Sequence, residues 1–324
     1  MRLLDFERPL YDIEKRLEEL KRLLDTRPDL ADEIRDLEAR AERIRRKIYA
    51  HLTPWQIVQV ARHADRPHAL DYIRGMATDF LELHGDRYYG DDPAIVGGLI
   101  QVEDQRWVVV GEEKGRDVKE RVQRNFGMPN PEGYRKAERL FRLADKFGLP
   151  IVTLIDTPGA FPGIEAEERG QSRAIATAIQ TMLEVKVPIV AVVIGEGGSG
   201  GALAIGVGNR VLMLEYAIYS VISPEGCAAI LWKDGAEAPK AAEVLRLTSK
   251  DLHRLGVVDE VIPEPLGGAH RQPEEAIRRV KEAVLRHLAD LRRLSPEEVL
   301  QHRRQRFLQF GVFETAPTPE GGAV

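Results

Sequence analysis

The sequence predicts an α/β fold with a largely parallel sheet covered on both faces, preceded by a helical hairpin. Three observations lead there. Apolar, β-branched runs such as LPIVTLID (149–156) and VPIVAVVI (187–194) alternate with amphipathic stretches of helical length, the pattern of strands buried on both faces. Both runs end in a glycine-rich turn, TPGAFPG after the first and GEGGSGG after the second, and each turn leads into another helix. Two strand ends that deliver loops to one edge form the place where α/β folds bind ligands. The first fifty residues differ from the rest, being charged and carrying a narrow apolar seam.

That seam comes first along the chain. Leu10, Ile13, Leu17, Leu20 and Leu24 recur at alternating steps of three and four, as do Ile34, Leu37, Ala41, Ile44 and Ile48. Such spacing puts one apolar stripe on each of two helices. Pro28 in TRPD (26–29) cannot continue the first helix and suits the opening turn of the second. The pair reads either as a hairpin lying on its own chain or as a subunit contact.

Residues 51–73 read as a short helix and loop. AIVGGLIQV and RWVVVGEE have hairpin character around EDQ (103–105). PEGYRKAERLFRLADKFG is an amphipathic helix stopped by Gly148. After LPIVTLID and its turn, AEERGQSRAIATAIQTMLEVK is a further helix. VPIVAVVI then runs into the glycine loop and a short helix, GALAIGVG. RVLMLEYAIYSVI supplies more strand, APKAAEVLRL and SKDLHRLG are helical, and VVDEVIP closes the sheet. SPEEVLQHRRQRFLQF opens with a capping box, Ser295 to Glu298, with Pro296 at the first helical position. ETAPTPEGGAV reads as a frayed tail. The expected division is a helical hairpin over 1–52, one α/β domain over 53–294, and a closing helix with its tail over 295–324.

Composition narrows the function classes. With 324 residues and 43% hydrophobic content there is enough apolar mass for a large core. A formal net charge of −5 gives no overall bias toward nucleic acid. The single cysteine, Cys227, excludes an internal disulfide framework or a cysteine-rich zinc site, and suits a reducing compartment. The first residues are charged and lack the apolar core of a signal peptide. No apolar run approaches the roughly 20 residues that span a bilayer. The reading is a cytoplasmic globular protein.

The glycine loop admits three uses. Gly195-Glu196-Gly197-Gly198-Ser199-Gly200 spells the dinucleotide fingerprint G-x-G-x-x-G after a strand, with Glu215 about 20 residues on. Against this, the next helix is short and glycine-broken, and several strand–helix units precede the motif. Alternatively, Gly200 and Gly201 open a helix, where free N–H groups and the dipole favour an anion, and the missing Cβ lets an oxygen approach. Thirdly, the glycines serve close strand–helix packing. The other candidates are thinner. DTPG (156–159) has no P-loop to accompany it. Lys114 to Arg124 reads as a solvated face, because acids interleave with its bases. Cys227, His84, Glu165 and Glu196 each read as structural or solvent-facing. The chain therefore offers an anion-binding backbone without a convincing acid, base, nucleophile or metal set.

Long stretches carry a family resemblance. IDTPGAFPGIEAEERGQSRAIA, VPIVAVVIGEGGSGGALAIGVGNRVLMLEYAIYSVISPEGCAAILWK and LGVVDEVIPEPLGGAHR resemble the alpha subunit of bacterial acetyl-CoA carboxylase carboxyltransferase. LTPWQIVQVARHADRP, ELHGDRYYGDDPAIVGGL and KGRDVKERVQRNFGMPNPEGYRKAERL match the same family, so the likeness runs from about Leu3 to Gly311. It implies a crotonase-like fold of ββα units forming a superhelix. It also implies an α2β2 assembly whose sites lie where alpha and beta subunits meet, with zinc and most of the coenzyme A site on the beta subunit only. Biotin on its carboxyl carrier protein, itself served by biotin carboxylase, is the implied cofactor, and acetyl-CoA and malonyl-CoA share the site. The implied roles are an oxyanion hole for the biotin ureido oxygen at Gly200 and Gly201, a pocket lining from Pro158, Gly159, Ala160, Phe161, Pro162 and Gly163, and further contacts from Gly197, Gly198 and Ser199. The base in that chemistry is the cofactor, which accounts for the missing side chains.

Overall fold

The computed structural model describes residues 4–311; the tail expected beyond Gly311 lies outside them. The two seams face each other. Helix α1 (Arg8–Leu23) and helix α2 (Ala31–Tyr49) enclose their own small core of Leu10, Ile13, Leu17, Leu20, Ile34 and Ala41. The apolar stripe is thus closed within the chain. The hairpin is tied to the body by Arg271, whose guanidinium meets Glu7 at 2.9 Å and Glu14 at 2.7 Å, and by an edge contact between Tyr49 and Tyr216.

The stretch expected as a short helix and loop forms two helices, α3 (Pro54–Ala61), opened by a capping box on Thr53, and α4 (Ala69–Met76). Strand β1 (Asp79–Glu82) then pairs antiparallel with β2 (Ile95–Val102), which forms the expected hairpin with β3 (Gln105–Glu112). Helix α5 (Val118–Gln123) covers part of the basic segment. Helix α6 (Pro131–Phe147) ends where Gly148 turns left-handed at φ 65°.

The pairings that follow are parallel. β4 (Ile151–Thr157) adds to β3, and β5 (Ile189–Gly198) to β4. β6 (Arg210–Leu214) adds to β5, and β8 (Glu260–Ile262) to β6. The strand after β6 is broken by a turn at Glu215 and Tyr216, so that β7 (Ile218–Ser220) pairs with the far end of β5. The helix expected over 166–186 is also broken. Gly170, at φ 82°, separates α7 (Ile164–Glu168) from α8 (Gln171–Glu184). Between β5 and β6 lies α9 (Ser199–Leu203). The remaining helices are α10 (Pro224–Trp232), α11 (Ala238–Leu245), α12 (Ser249–Arg254), α13 (Pro273–Leu291) and α14 (Pro296–Leu308), the last behind the predicted Ser295 capping box.

One core of β2–β6 side chains, sealed by α4, α6 and α13, makes the centre of the sheet fully buried. Arg303 of α14 is buried with it, donating to the carbonyls of Val185 and Val187 and to Asn209 Oδ1. This pins the closing helix against the start of β5.

Candidate active site at the ends of the fourth and fifth strands

The glycine loop is strand for longer than its composition suggested. β5 continues through Glu196, Gly197 and Gly198, which pair with Ile218, Tyr219 and Ser220 of β7. The register explains how. Ile155 faces Val193, yet Thr157 faces Gly197, so β5 spends four residues where β4 spends two. Asp156 fills the offset, its Oδ1 accepting the Glu196 N–H at 2.9 Å. A Cβ on Gly195 would overlap that carboxylate, so the bare residue is required there.

Beyond the bulge the two turns touch. A Cβ on Gly198 would overlap the Pro158 carbonyl, and one on Gly201 would lie 2.6 Å from Ala160 N and 2.7 Å from Gly159 C. Real Cβ atoms do not approach a backbone so closely, hence the packing use of glycine holds at these positions. Gly197 is buried against the Tyr219 ring, 2.6 Å from where its Cβ would be. Gly200 differs: its nearest neighbour would be Ile175 Cγ2 at 3.7 Å, ordinary contact. The obstruction expected from a side chain at Gly201 is therefore a clash with the TPGAFPG turn.

Ser199, Gly200 and Gly201 are the first three residues of α9, where helical N–H groups have no partner one turn back. Among the described residues no group outside α9 accepts a hydrogen bond from Gly200 N or Gly201 N. Ser199 takes a left-handed φ of 54°, and its side chain is exposed. That conformation is costly for a non-glycine residue and clusters at functional turns.

Beside this turn opens a cleft of about 360 Å³, lined by Ser199, Gly200, Leu203, Tyr219, Ser220, Val221, Leu245, Leu252 and Val257. Of the sequence-predicted residues, only Ser199 and Gly200 line it. Gly159 and Ala160 pack behind Gly201. Pro158 and Pro162 are exposed, while Phe161 and Gly163 are half-buried in their own turn. Tyr219 and Val221 carried no signal in the sequence, since only the fold brings β7 alongside β5. None of the lining side chains is an acid, histidine or cysteine, and burial pushes the Tyr219 hydroxyl up to about 12.

Charge lies behind the strand ends. Lys114, expected on a solvated face, is drawn inward, its Nζ 2.8 Å from both Asp156 Oδ1 and Glu196 Oε1. Its distant partners override the local pattern. Arg62 meets Glu196 at 2.6 Å and Glu225 at 2.5 Å, and His68 Nδ1 lies 3.4 Å from Asp156 Oδ2. Burial works to raise the Asp156 carboxyl, but Lys114 and His68 hold it well below the usual range. Glu196 is likewise lowered, burial being outweighed by Lys114 and Arg62, which leaves it no base. Glu112 goes the other way: burial, then the Asp156 charge, raise it well above an ordinary carboxyl. Glu165 and His84 are exposed, the latter 3.2 Å from Asp91, and Cys227 is buried.

The dinucleotide use of the loop does not survive this geometry. Of its fingerprint glycines Gly195 sits in the bulge and Gly197 is paired in strand, the helix holding Gly200 has five residues, and Glu215 sits in a turn accepting the Glu264 N–H at 3.2 Å.

Relatives point one way. Residues 3–311 match the family model described as acetyl co-enzyme A carboxylase carboxyltransferase-like. The chain is 59% identical to the acetyl-coenzyme A carboxylase carboxyl transferase subunit alpha of Thermus thermophilus, over 96% of this chain and 98% of that one. It is 54% identical to its namesake from Geobacter metallireducens, with the same shares. Solved structures of similar fold include the transcarboxylase 12S core (TM-score 0.54, 22% identity, 68% of this chain and 43% of that one). The P. aeruginosa geranyl-CoA carboxylase beta subunit (0.55, 17%, 82% and 48%) and a Pseudomonas malonate decarboxylase hetero-tetramer (0.57, 16%, 72% and 91%) are also similar. This chain spans under half of the first two, and these likenesses show the fold alone, which is crotonase-like. The chain belongs to the family of acetyl-CoA carboxylase carboxyltransferase alpha subunits.

Proposed function

We propose that this chain is the half of a shared carboxyltransferase site that receives carboxybiotin, and that it works only when joined to a beta subunit. The overall reaction moves the carboxyl group from carboxybiotin on its carrier protein to acetyl-CoA, giving malonyl-CoA for fatty acid synthesis. The observation that carries this reading is a pair of helix-start amides with no acceptor outside α9, the first of them, Gly200, lining an apolar cleft that lacks acid–base side chains.

The residues present fit a ureido ring. Gly200 lines the cleft, where an added methyl group would make only ordinary contact with Ile175, and Leu203, Val221 and Leu245 offer apolar walls. When bound, biotin would supply both the carboxyl group and the base, so the protein is asked for orientation and electrostatics. The Gly200 and Gly201 N–H groups would donate to the ring's carbonyl oxygen, and one such preorganised donor contributes about 3–4 kcal/mol to a transition state. Ser199 would border the same oxygen, while the Pro158–Gly163 turn buttresses Gly198 and Gly201 from behind.

A beta partner is supported by the rim of the cleft. Leu203 and Val221, which line it, are 38% and 77% exposed. An apolar rim of that kind marks an interaction surface. In this reading the partner brings the zinc site and the coenzyme A site, the assembly is α2β2, biotin carboxylase loads the carrier, and the location is the cytoplasm. No helix among the described residues is long and apolar enough to cross a membrane. Residues 1–52, 53–294 and 295–324 are assigned as hairpin, carboxyltransferase body and closing segment.

The test is reconstitution. Purified chain mixed with its zinc-bearing partner is expected to convert malonyl-CoA and biocytin to acetyl-CoA, while neither chain does so alone. Turnover by the homogeneous chain unaided would overturn the shared-site reading.

A further inference from the structure

Asp156 sits at a place where the sheet should fail. Between Ile155 and Thr157 the β4–β5 ladder loses its step, leaving the Glu196 N–H without a main-chain partner on β4. The Asp156 carboxylate takes up that N–H at 2.9 Å, and the gap it enters exists only because Gly195 has no side chain. Its own N–H is tied at 3.1 Å to Glu112 Oε2, so the residue is held at both ends. Lys114, bonded at 2.8 Å to Asp156 and to Glu196, links the end of β4 to the stretch of β5 just past the bulge.

The offset has a consequence downstream. Two extra residues on β5 bring Gly198 onto Pro158 and Gly201 onto Ala160. Without them the second turn would start two positions away, some 6–7 Å of strand, and α9 would no longer rest against the first turn. The geometry assigns Asp156, clamped by Lys114, as a positioning residue: its carboxylate plugs the bulge in β5 and sets where the Gly200 and Gly201 amides stand. This rests on the functional reading above and adds to it a group that touches neither substrate nor cofactor.

Three variants, each in the full chain assembled with its partner, separate a plug from a merely stabilising charge. Asp156→Asn keeps an acceptor oxygen in the bulge, Asp156→Ala empties it, and Gly195→Ala keeps every charge but drives a methyl group into the carboxylate. Turnover of malonyl-CoA with biocytin is measured at a temperature where circular dichroism melting curves show each variant folded. The expected result is a kcat lower by at least about 100-fold in Asp156→Ala and Gly195→Ala, since a misplacement of about 1 Å can cost that much. Asp156→Asn should stay within about tenfold, with KM for malonyl-CoA within about threefold throughout. If Asp156→Ala does not fold, Asp156→Asn against Gly195→Ala decides. Equal losses in the Asn variant and in the emptied or crowded ones, or losses below about threefold in all, would overturn the positioning role. An inactive wild-type assembly would instead overturn the functional reading itself.

Discussion

The front and the back of the β4 and β5 strand ends use opposite means to the same end. Behind them, Lys114, Asp156, Glu196 and Arg62 fill the space with charge, each ion meeting another within 2.8 Å. In front, Gly198, Gly200 and Gly201 present main chain and nothing else. Buried ions stabilise a fold poorly, because desolvation offsets most of their attraction, but breaking one pair leaves an uncompensated charge and costs about 3–5 kcal/mol. The rear cluster is therefore rigid whatever its net worth. In the proposed reading that rigidity lets the front dispense with side chains, for two main-chain donors would be useful only if they cannot move.

The comparison can be broken at the front most severely through Gly201. Gly201→Ala is expected to lower turnover of the assembled enzyme by at least about 100-fold, because the new methyl meets Ala160 N and Gly159 C. Gly200→Ala, one residue away, should stay within about fivefold, since its methyl finds only Ile175 at ordinary distance. Steady-state rates of the two variants check this; comparable losses would mean that the packing difference between these glycines is irrelevant.

A smaller effect sharpens the rear. Glu112 has a folded-state carboxyl raised well above its ordinary value, through burial and the neighbouring Asp156 charge. Between its unfolded and folded values the folded chain holds the extra proton, so this group costs stability as pH rises through that window. Glu112→Gln cannot lose that proton. From about pH 5 to about pH 8 the variant's melting temperature should therefore gain on the wild type's by a few degrees. Parallel profiles would show that Glu112 is not held neutral.

Much of the frame was legible because it depends on near neighbours. The hairpin follows from Leu10 to Ile48, the end of α6 from Gly148, and the start of α14 from Ser295 and Glu298. The site was legible in kind, as bare backbone at a helix start, but not in its division of labour. Lys114 is read locally as solvated because the carboxylates that bury it lie 42 and 82 positions away. The glycine run reads as loop because pairing with β7, the Asp156 plug and the contact with Ala160 are all long-range. The 19-residue amphipathic helix α13 fills a stretch between the closing strand and the capping box to which the sequence reading assigns no element.

The central claim is that the main-chain amides at the start of α9 carry the chemistry, and one measurement reaches it without touching any side chain. Replacing the amide of Gly200 by an ester removes a single N–H and adds no atom that could clash. The account predicts a kcat about 100- to 1,000-fold lower in the assembled enzyme, the usual loss for one oxyanion donor, with KM for malonyl-CoA little changed. A rate within about threefold of the all-amide chain would contradict it.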